Sequence, residues 1–240
     1  MPGAWASLLF TMRSRYDISD LVSQDRAFLD EVSADFAQGL EALSSVLPAV
    51  TVYGSSRVPA GDPVYKQAED LAQRLACQGY SVITGGGPGV MEAANKGARD
   101  AGGVSVGINV WFPDEQPSNP YATLSLQIQH LFVRKILLVR YASAVVFLPG
   151  GYGTLDEFFE TLTLIQTERL RPVPVILLGK WYWKTLAKWI RTVLAERGLI
   201  RPHDEDAFRV VDTVDDAVKL IGALHYGQPA PTGKGDPPRL

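Results

Sequence analysis

Cysteine is nearly absent: Cys77 is the only one in 240 residues. An intramolecular disulfide framework and a cysteine-based structural zinc site are therefore excluded, and a reducing cytoplasm is the expected compartment. Cys77 itself falls in step with Leu71 and Leu75 on a helical pattern and is expected to pack there. Histidine is scarce too. His130, His203 and His225 are far apart and never reach H-x-x-x-H spacing, so no metal site is expected. Charge of one sign is missing: 23 basic against 26 acidic residues leave a net charge of −3, with no pull toward nucleic acid. No apolar run approaches a membrane span. The mildly apolar stretch Ala4 to Phe10 has no basic region before it, so a secretory signal is not expected.

The common nucleotide fingerprints are also missing. Taking Gly85 and Gly87 as the start of a G-x-G-x-x-G motif puts Val90 where Gly or Ala is required. No acidic residue follows in an obvious ribose-binding place, which disfavours an ordinary NAD-dependent oxidoreductase. Gly179-Lys180 is followed by Trp181, so the P-loop pattern fails. Ser55 and Ser56 lack a G-x-S-x-G context, and covalent serine chemistry is not expected.

What is present is an alternation of strands and helices. After an arm over residues 1–18, expected to be flexible, apolar positions from Leu21 to Leu47 recur at helical spacing, predicting an additional amphipathic helix over 19–47 that Pro48 ends. It is expected to pack outside the core or against a partner. Strands are then predicted over 50–53, 80–84, 104–108, 124–128, 144–148, 173–178 and 208–211. Helices are predicted over 65–78, 90–101, 132–141, 154–168, 181–197 and 214–224. Residues 109–120 read as a loop and 227–240 as a disordered tail. Residues 19–226 thus form a single domain of the α/β class. The expected fold is a Rossmann-like, doubly wound parallel sheet with helices on both faces and an extra N-terminal helix.

In such a sheet, ligands bind beyond the carboxyl ends of the strands. Three small-residue turns fall there: Gly54-Ser55-Ser56, Gly85 to Gly89, and Gly150 to Thr154. The third belongs to the stretch Pro149-Gly150-Gly151-Tyr152-Gly153-Thr154-Leu155-Asp156-Glu157. Backbone N–H groups in a glycine turn at the positive end of a helix form a cradle for phosphate. Gly150, Gly151 and Gly153 allow close approach, and Thr154 can cap the helix or bond a phosphate oxygen. Glu157, one turn in, should project near the same mouth, whereas Asp156 and Glu160 are read as stabilising the helix start. Glu92 holds the equivalent place after the second turn. Arg134-Lys135 stands fifteen residues before Pro149 on an otherwise apolar helix, either at an edge or aimed at the site. His130, close by in sequence, could face the same site.

The pair Arg134-Lys135 followed by P-G-G-Y-G-T-L-D-E resembles the LOG family, the cytokinin riboside 5′-monophosphate phosphoribohydrolases long labelled lysine decarboxylases. The signature P-G-G-x-G-T-x-x-E is matched at every fixed position from Pro149 to Glu157, and the likeness extends over roughly 50–178. The decarboxylase label fits the chemistry poorly. A pyridoxal enzyme needs a Schiff-base lysine, often beside a histidine, and none of the three histidines adjoins a lysine. The long N-terminal helix and Met91-Glu92, where many short members carry Met-Gly, resemble a longer bacterial subgroup.

The resemblance implies hydrolysis of the N-glycosidic bond of a cytokinin-type or AMP-like nucleoside 5′-monophosphate by a homodimer; no cofactor or metal is expected, and the cytoplasm is the compartment expected above. Arg134 and Glu157 are the implied catalytic pair. Glu157 stabilises the ribosyl cation, orients the water, or both; Arg134 meets the charge on the departing base, and no general acid is identified. The implied substrate-binding set is Gly54, Ser55, Gly86, Gly87, Glu92 (to ribose hydroxyls), Lys135, Gly150, Gly151, Gly153 and Thr154. The alternative is a non-catalytic nucleotide or cofactor carrier of the same fold.

Overall fold

The structure, a computed structural model, describes residues 18–110 and 118–226. Most of the arm (1–17), the middle of the predicted loop (111–117) and the tail (227–240) lie outside the described residues. Elements run α1 (Ile18–Leu43), β1 (Ala49–Tyr53), α2 (Pro63–Cys77), β2 (Ser81–Thr84), α3 (Val90–Asp100), β3 (Ser105–Val110), β4 (Leu124–Ile128), α4 (Leu131–Arg140) and β5 (Ala142–Phe147). Then come α5 (Tyr152–Gln166), β6 (Val175–Leu178), α6 (Lys180–Trp189), β7 (Arg209–Val211) and α7 (Val214–Tyr226).

Seven parallel strands pair in the order β4-β3-β2-β1-β5-β6-β7. The apolar runs in the central strands are buried on both faces, as a sheet covered on two sides requires. Alternation splits each strand between two cores. Val50, Val52, Ala144 and Val146 face α2, α3 and α7. Ala49, Tyr53, Val145 and Phe147 face the layer that contains Val133 and Leu137 of α4, Phe158 of α5 and Trp183 of α6.

The chain winds outward from β1 in one direction and then returns to β5 on its other side. The order therefore reverses between β1 and β5, which opens a crevice at their carboxyl ends. The turns after β1, β2 and β5 all lie on this edge. Ser55 N–H donates to Pro149 C=O at 3.1 Å, and Val90 N–H to Ser55 C=O at 3.0 Å, which ties the three together.

Several boundaries differ from expectation. Helix α1 ends at Leu43 rather than at Pro48, because Ser44 Oγ donates to Glu41 C=O and a turn leads into β1. It lies on the core: Leu43 is fully buried, and Gly39 sits so close to α4 that a Cβ there would overlap Leu137. Asn109 and Val110 extend β3 instead of opening a loop. The single helix expected over 181–197 is α6 followed by a π-helical stretch, Ile190–Ala195. Cys77 is exposed at the end of α2, where its side chain has left the packed stripe. Among the described residues, no helix is long and apolar enough to cross a membrane.

Candidate active site

The crevice is a cleft of about 810 Å³. All three turns reach it, through Gly54, Ser55, Gly87, Gly151, Gly153 and Thr154, and both Arg134 and Glu157 line it.

The turn after β5 forms one end of the cleft. Gly151, not Thr154, is the N-cap of α5, and no side chain caps it. Thr154 lies inside the first turn, buried beneath Gly150, where a Cβ on that glycine would overlap its hydroxyl. The capping role expected for Thr154 is therefore wrong: the helix starts two residues earlier than the apolar pattern suggested. The first amide N–H groups of a helix have no partner within it. At Gly151 and Gly153 an added Cβ would meet nothing within 4 Å. Packing does not demand glycine at either position, and the space beside both is open to the cleft. Tyr182 Oη donates to Gly150 C=O at 2.5 Å and steadies the turn.

Helix α4 brings Arg134 in from the other side. Its Nε donates to Ile108 C=O at 2.7 Å and one Nη to Gly85 C=O at 3.0 Å, so two backbone carbonyls fix the guanidinium plane. Gly85 is required here, since a Cβ would overlap that Nη. Burial lowers the arginine's affinity for its proton and Glu157 opposes this; an arginine stays cationic regardless. Burial likewise dominates at Glu157. It pushes the carboxyl from 4.5 up to about 7, against the pull of Arg134 and Lys135 and with the push of Asp156 and Glu160. Among the described residues, no ion pair joins Arg134 to Glu157, although each shifts the other's ionisation. A cation and a carboxylate poised near neutrality thus line one cleft without being closed on each other.

Four residues expected in the binding set do not line the cleft. Lys135 points along α5, with Nζ 2.9 Å from Asp156 Oδ2 and 3.2 Å from Glu160 Oε2. It docks the helix that carries Glu157, so Asp156 and Glu160 do more than stabilise a helix start. Glu92 turns away from the cleft and accepts a hydrogen bond from Tyr65 Oη at 2.8 Å; Met91 lines the cleft in its place. Gly86 and Gly150 are framework positions. Gly86 is at φ +74, packed against Asn109, and its C=O accepts from Asn119 N–H. His130 does not line the cleft either; its ring pairs with Asp35 of α1.

Sequence reasoning missed the polar network under the second turn. Asn95 is fully buried. Its Oδ1 accepts from Thr84 Oγ1 at 2.6 Å and Asn119 Nδ2 at 3.0 Å, and its Nδ2 donates to Ser105 Oγ and Val106 C=O. Asn119 also donates to Gly87 C=O, and Gly86 N–H to Thr84 Oγ1, so the network holds the turn from below. Tyr53 was missed as well. Its ring stacks on Phe147 at 4.7 Å, and burial, then Glu157, hold its phenol firmly protonated. The only signal in the sequence was an asparagine or tyrosine where an apolar residue would serve packing alone.

A family model described as possible lysine decarboxylase matches residues 91–221, more than half of the chain. The chain belongs to this family. Among its relatives, the cytokinin riboside 5′-monophosphate phosphoribohydrolase of Rhodococcoides fascians is 28% identical over 179 residues, covering 72% of this chain and 88% of that protein. The enzyme of the same name in Mycobacterium tuberculosis is 27% identical over 175 residues, covering 71% and 91%. The X-ray structure of TM1055 superposes with a TM-score of 0.56 at 32% identity, over 73% of this chain and 98% of that one. A molybdenum cofactor carrier protein from Chlamydomonas reinhardtii reaches 0.58 at 22% identity, over 75% and 98%, a likeness of fold alone. The decarboxylase in the family's description finds no counterpart in the cleft. Among the described residues no lysine lines it, and Lys135 is engaged by two carboxylates.

Proposed function

We propose that this member of the family is a phosphoribohydrolase that splits a purine nucleoside 5′-monophosphate into free base and ribose 5-phosphate. The observation that carries the reading is the pairing, in one cleft, of an uncapped helix N-terminus with a carboxylate raised to about 7 and a fixed arginine. The relatives named as phosphoribohydrolases support the reaction class.

In this reading the 5′-phosphate sits on the amides of Gly151, Gly153 and Thr154, which anchors the ribose for reaction at its far side. The bond from C1′ to the base nitrogen breaks, and its electron pair leaves with the purine. The ribosyl group becomes cationic, as in other glycosidic cleavages. Ionised Glu157 stabilises that cation and takes a proton from the water that adds to C1′. Arg134 hydrogen-bonds the base as negative charge gathers on it; a guanidinium is a poor proton donor, so the base takes its proton from solvent. Because ionised Glu157 is the working form, kcat/KM should fall as pH drops below about 7. The working unit in this reading is a cytoplasmic homodimer.

The test is incubation with a panel of nucleoside 5′-monophosphates, AMP and isopentenyl-AMP among them, followed by chromatography of released bases. Release from at least one, abolished by Glu157→Gln, supports the reading. Binding without release from any would instead support the non-catalytic carrier.

A further inference from the structure

We propose that Asp35, on the additional N-terminal helix α1, is a positioning residue for Arg134, acting as a tertiary cap on the helix that carries it. The first turn of α4 lacks a cap of its own: His130 is the N-cap residue and its side chain makes no capping bond. Asp35 reaches across from α1 and holds the entry to the helix, at the N-cap residue and the one before it. Its carboxylate accepts the Gln129 N–H at 3.0 Å and the His130 N–H at 2.9 Å, and pairs with His130 Nδ1 at 2.8 Å. Asp35 is 4% exposed, and a carboxylate so buried persists only where its oxygens are satisfied. A negative charge at this end also suits the helix dipole.

The link to Arg134 is direct. The carbonyl of His130 accepts the Arg134 N–H at 3.1 Å, so the residue that Asp35 grips is the one on which the arginine's backbone hangs. The ring of His130 is itself wedged edge-on against Phe28 at 5.1 Å, another residue of α1. One turn along, Gly39 meets Leu137, giving α1 a second hold on α4. The backbone of Arg134 is thus set from α1, and its guanidinium from Ile108 and Gly85. Asp35 does not itself line the cleft. The inference rests on the reading of Arg134 as a working residue, and it assigns a purpose to the helix that precedes the first strand.

The test uses the full chain with Asp35→Ala, Asp35→Asn, Arg134→Ala and the Asp35→Ala/Arg134→Ala double variant. Solvent exchange of the Arg134 Nε–H, followed by nitrogen-15 NMR, needs no substrate. It should quicken at least about tenfold in Asp35→Ala and less in Asp35→Asn, which keeps one oxygen acceptor. Turnover of the released-base reaction should fall roughly ten- to a hundredfold in Asp35→Ala, with no further loss from the same change in the Arg134→Ala background. Unchanged exchange in Asp35→Asn and Asp35→Ala, or equal losses in both backgrounds, would overturn the proposal. If Asp35→Ala does not fold, Asp35→Asn decides by the same exchange measurement. If the wild type releases no base from any nucleotide, the phosphoribohydrolase reading fails, whereas the exchange result still settles Asp35.

Discussion

Replacing Glu157 with glutamine should leave the protein inactive and, above neutral pH, more stable. Burial raises the carboxyl from 4.5 to about 7, which makes its ionised form less favourable in the folded chain than in the unfolded one by about 3 kcal/mol. Below pH 4.5 the group is protonated in both states and contributes nothing. Between 4.5 and 7 the unfolded chain ionises and the folded one does not, so stability drops as pH rises; above 7 the full penalty applies. Glutamine keeps the shape and never ionises. Denaturant unfolding of wild type and Glu157→Gln should therefore coincide near pH 4.5 and diverge by about 2–3 kcal/mol at pH 8, the variant being more stable. Turnover of the same variant should fall by orders of magnitude. Equal stabilities at pH 8, or a variant less stable throughout, would refute the claim that burial of this carboxylate is unfavourable to the fold. Such a cost at a cleft residue is what the proposed catalytic role of Glu157 would account for.

Two further substitutions probe the supports of the site. In Gly85→Ala the new Cβ overlaps the Arg134 guanidinium and lies 2.8 Å from Met91 Sδ. The arginine must leave the Gly85 carbonyl, and turnover should fall to the level of Arg134→Ala; full activity would show that the anchored pose is not the working one. Asn95→Ala strips partners from Thr84, Asn119, Ser105 and Val106. It should cost about 3 kcal/mol or more by chemical denaturation and raise KM for the nucleotide as the Gly85–Gly89 turn loosens.

The strand-helix alternation was legible because β1, β2, β5 and β6 are short, mainly apolar runs that reach a glycine within three residues, a pattern read locally. Strand positions, the parallel class and the shared edge of the three turns followed from it. Element ends were less legible. The apolar pattern of α5 begins at Thr154, but the helix starts at Tyr152, since glycine and an exposed tyrosine can occupy a first turn without marking it. Lys135 and Glu92 were named from their places in motifs. Whether each side chain enters the cleft depended on residues of other elements, Asp156 and Glu160 for one and Tyr65 for the other.

The residues of the chain alone determined the class of fold, the crevice edge and the presence of Arg134 and Glu157 beside it. These depend on order along the chain: apolar period, glycine turns and the spacing of a signature. Only the tertiary structure decided which groups surround each of them. The rise of Glu157 toward neutrality is a sum over burial and charges on α4 and α5. The grip on Arg134 comes from Ile108, Gly85 and, through His130, an aspartate 99 positions away in the chain. Solvation, charge and hydrogen bonding act through space, so no local pattern could have supplied them.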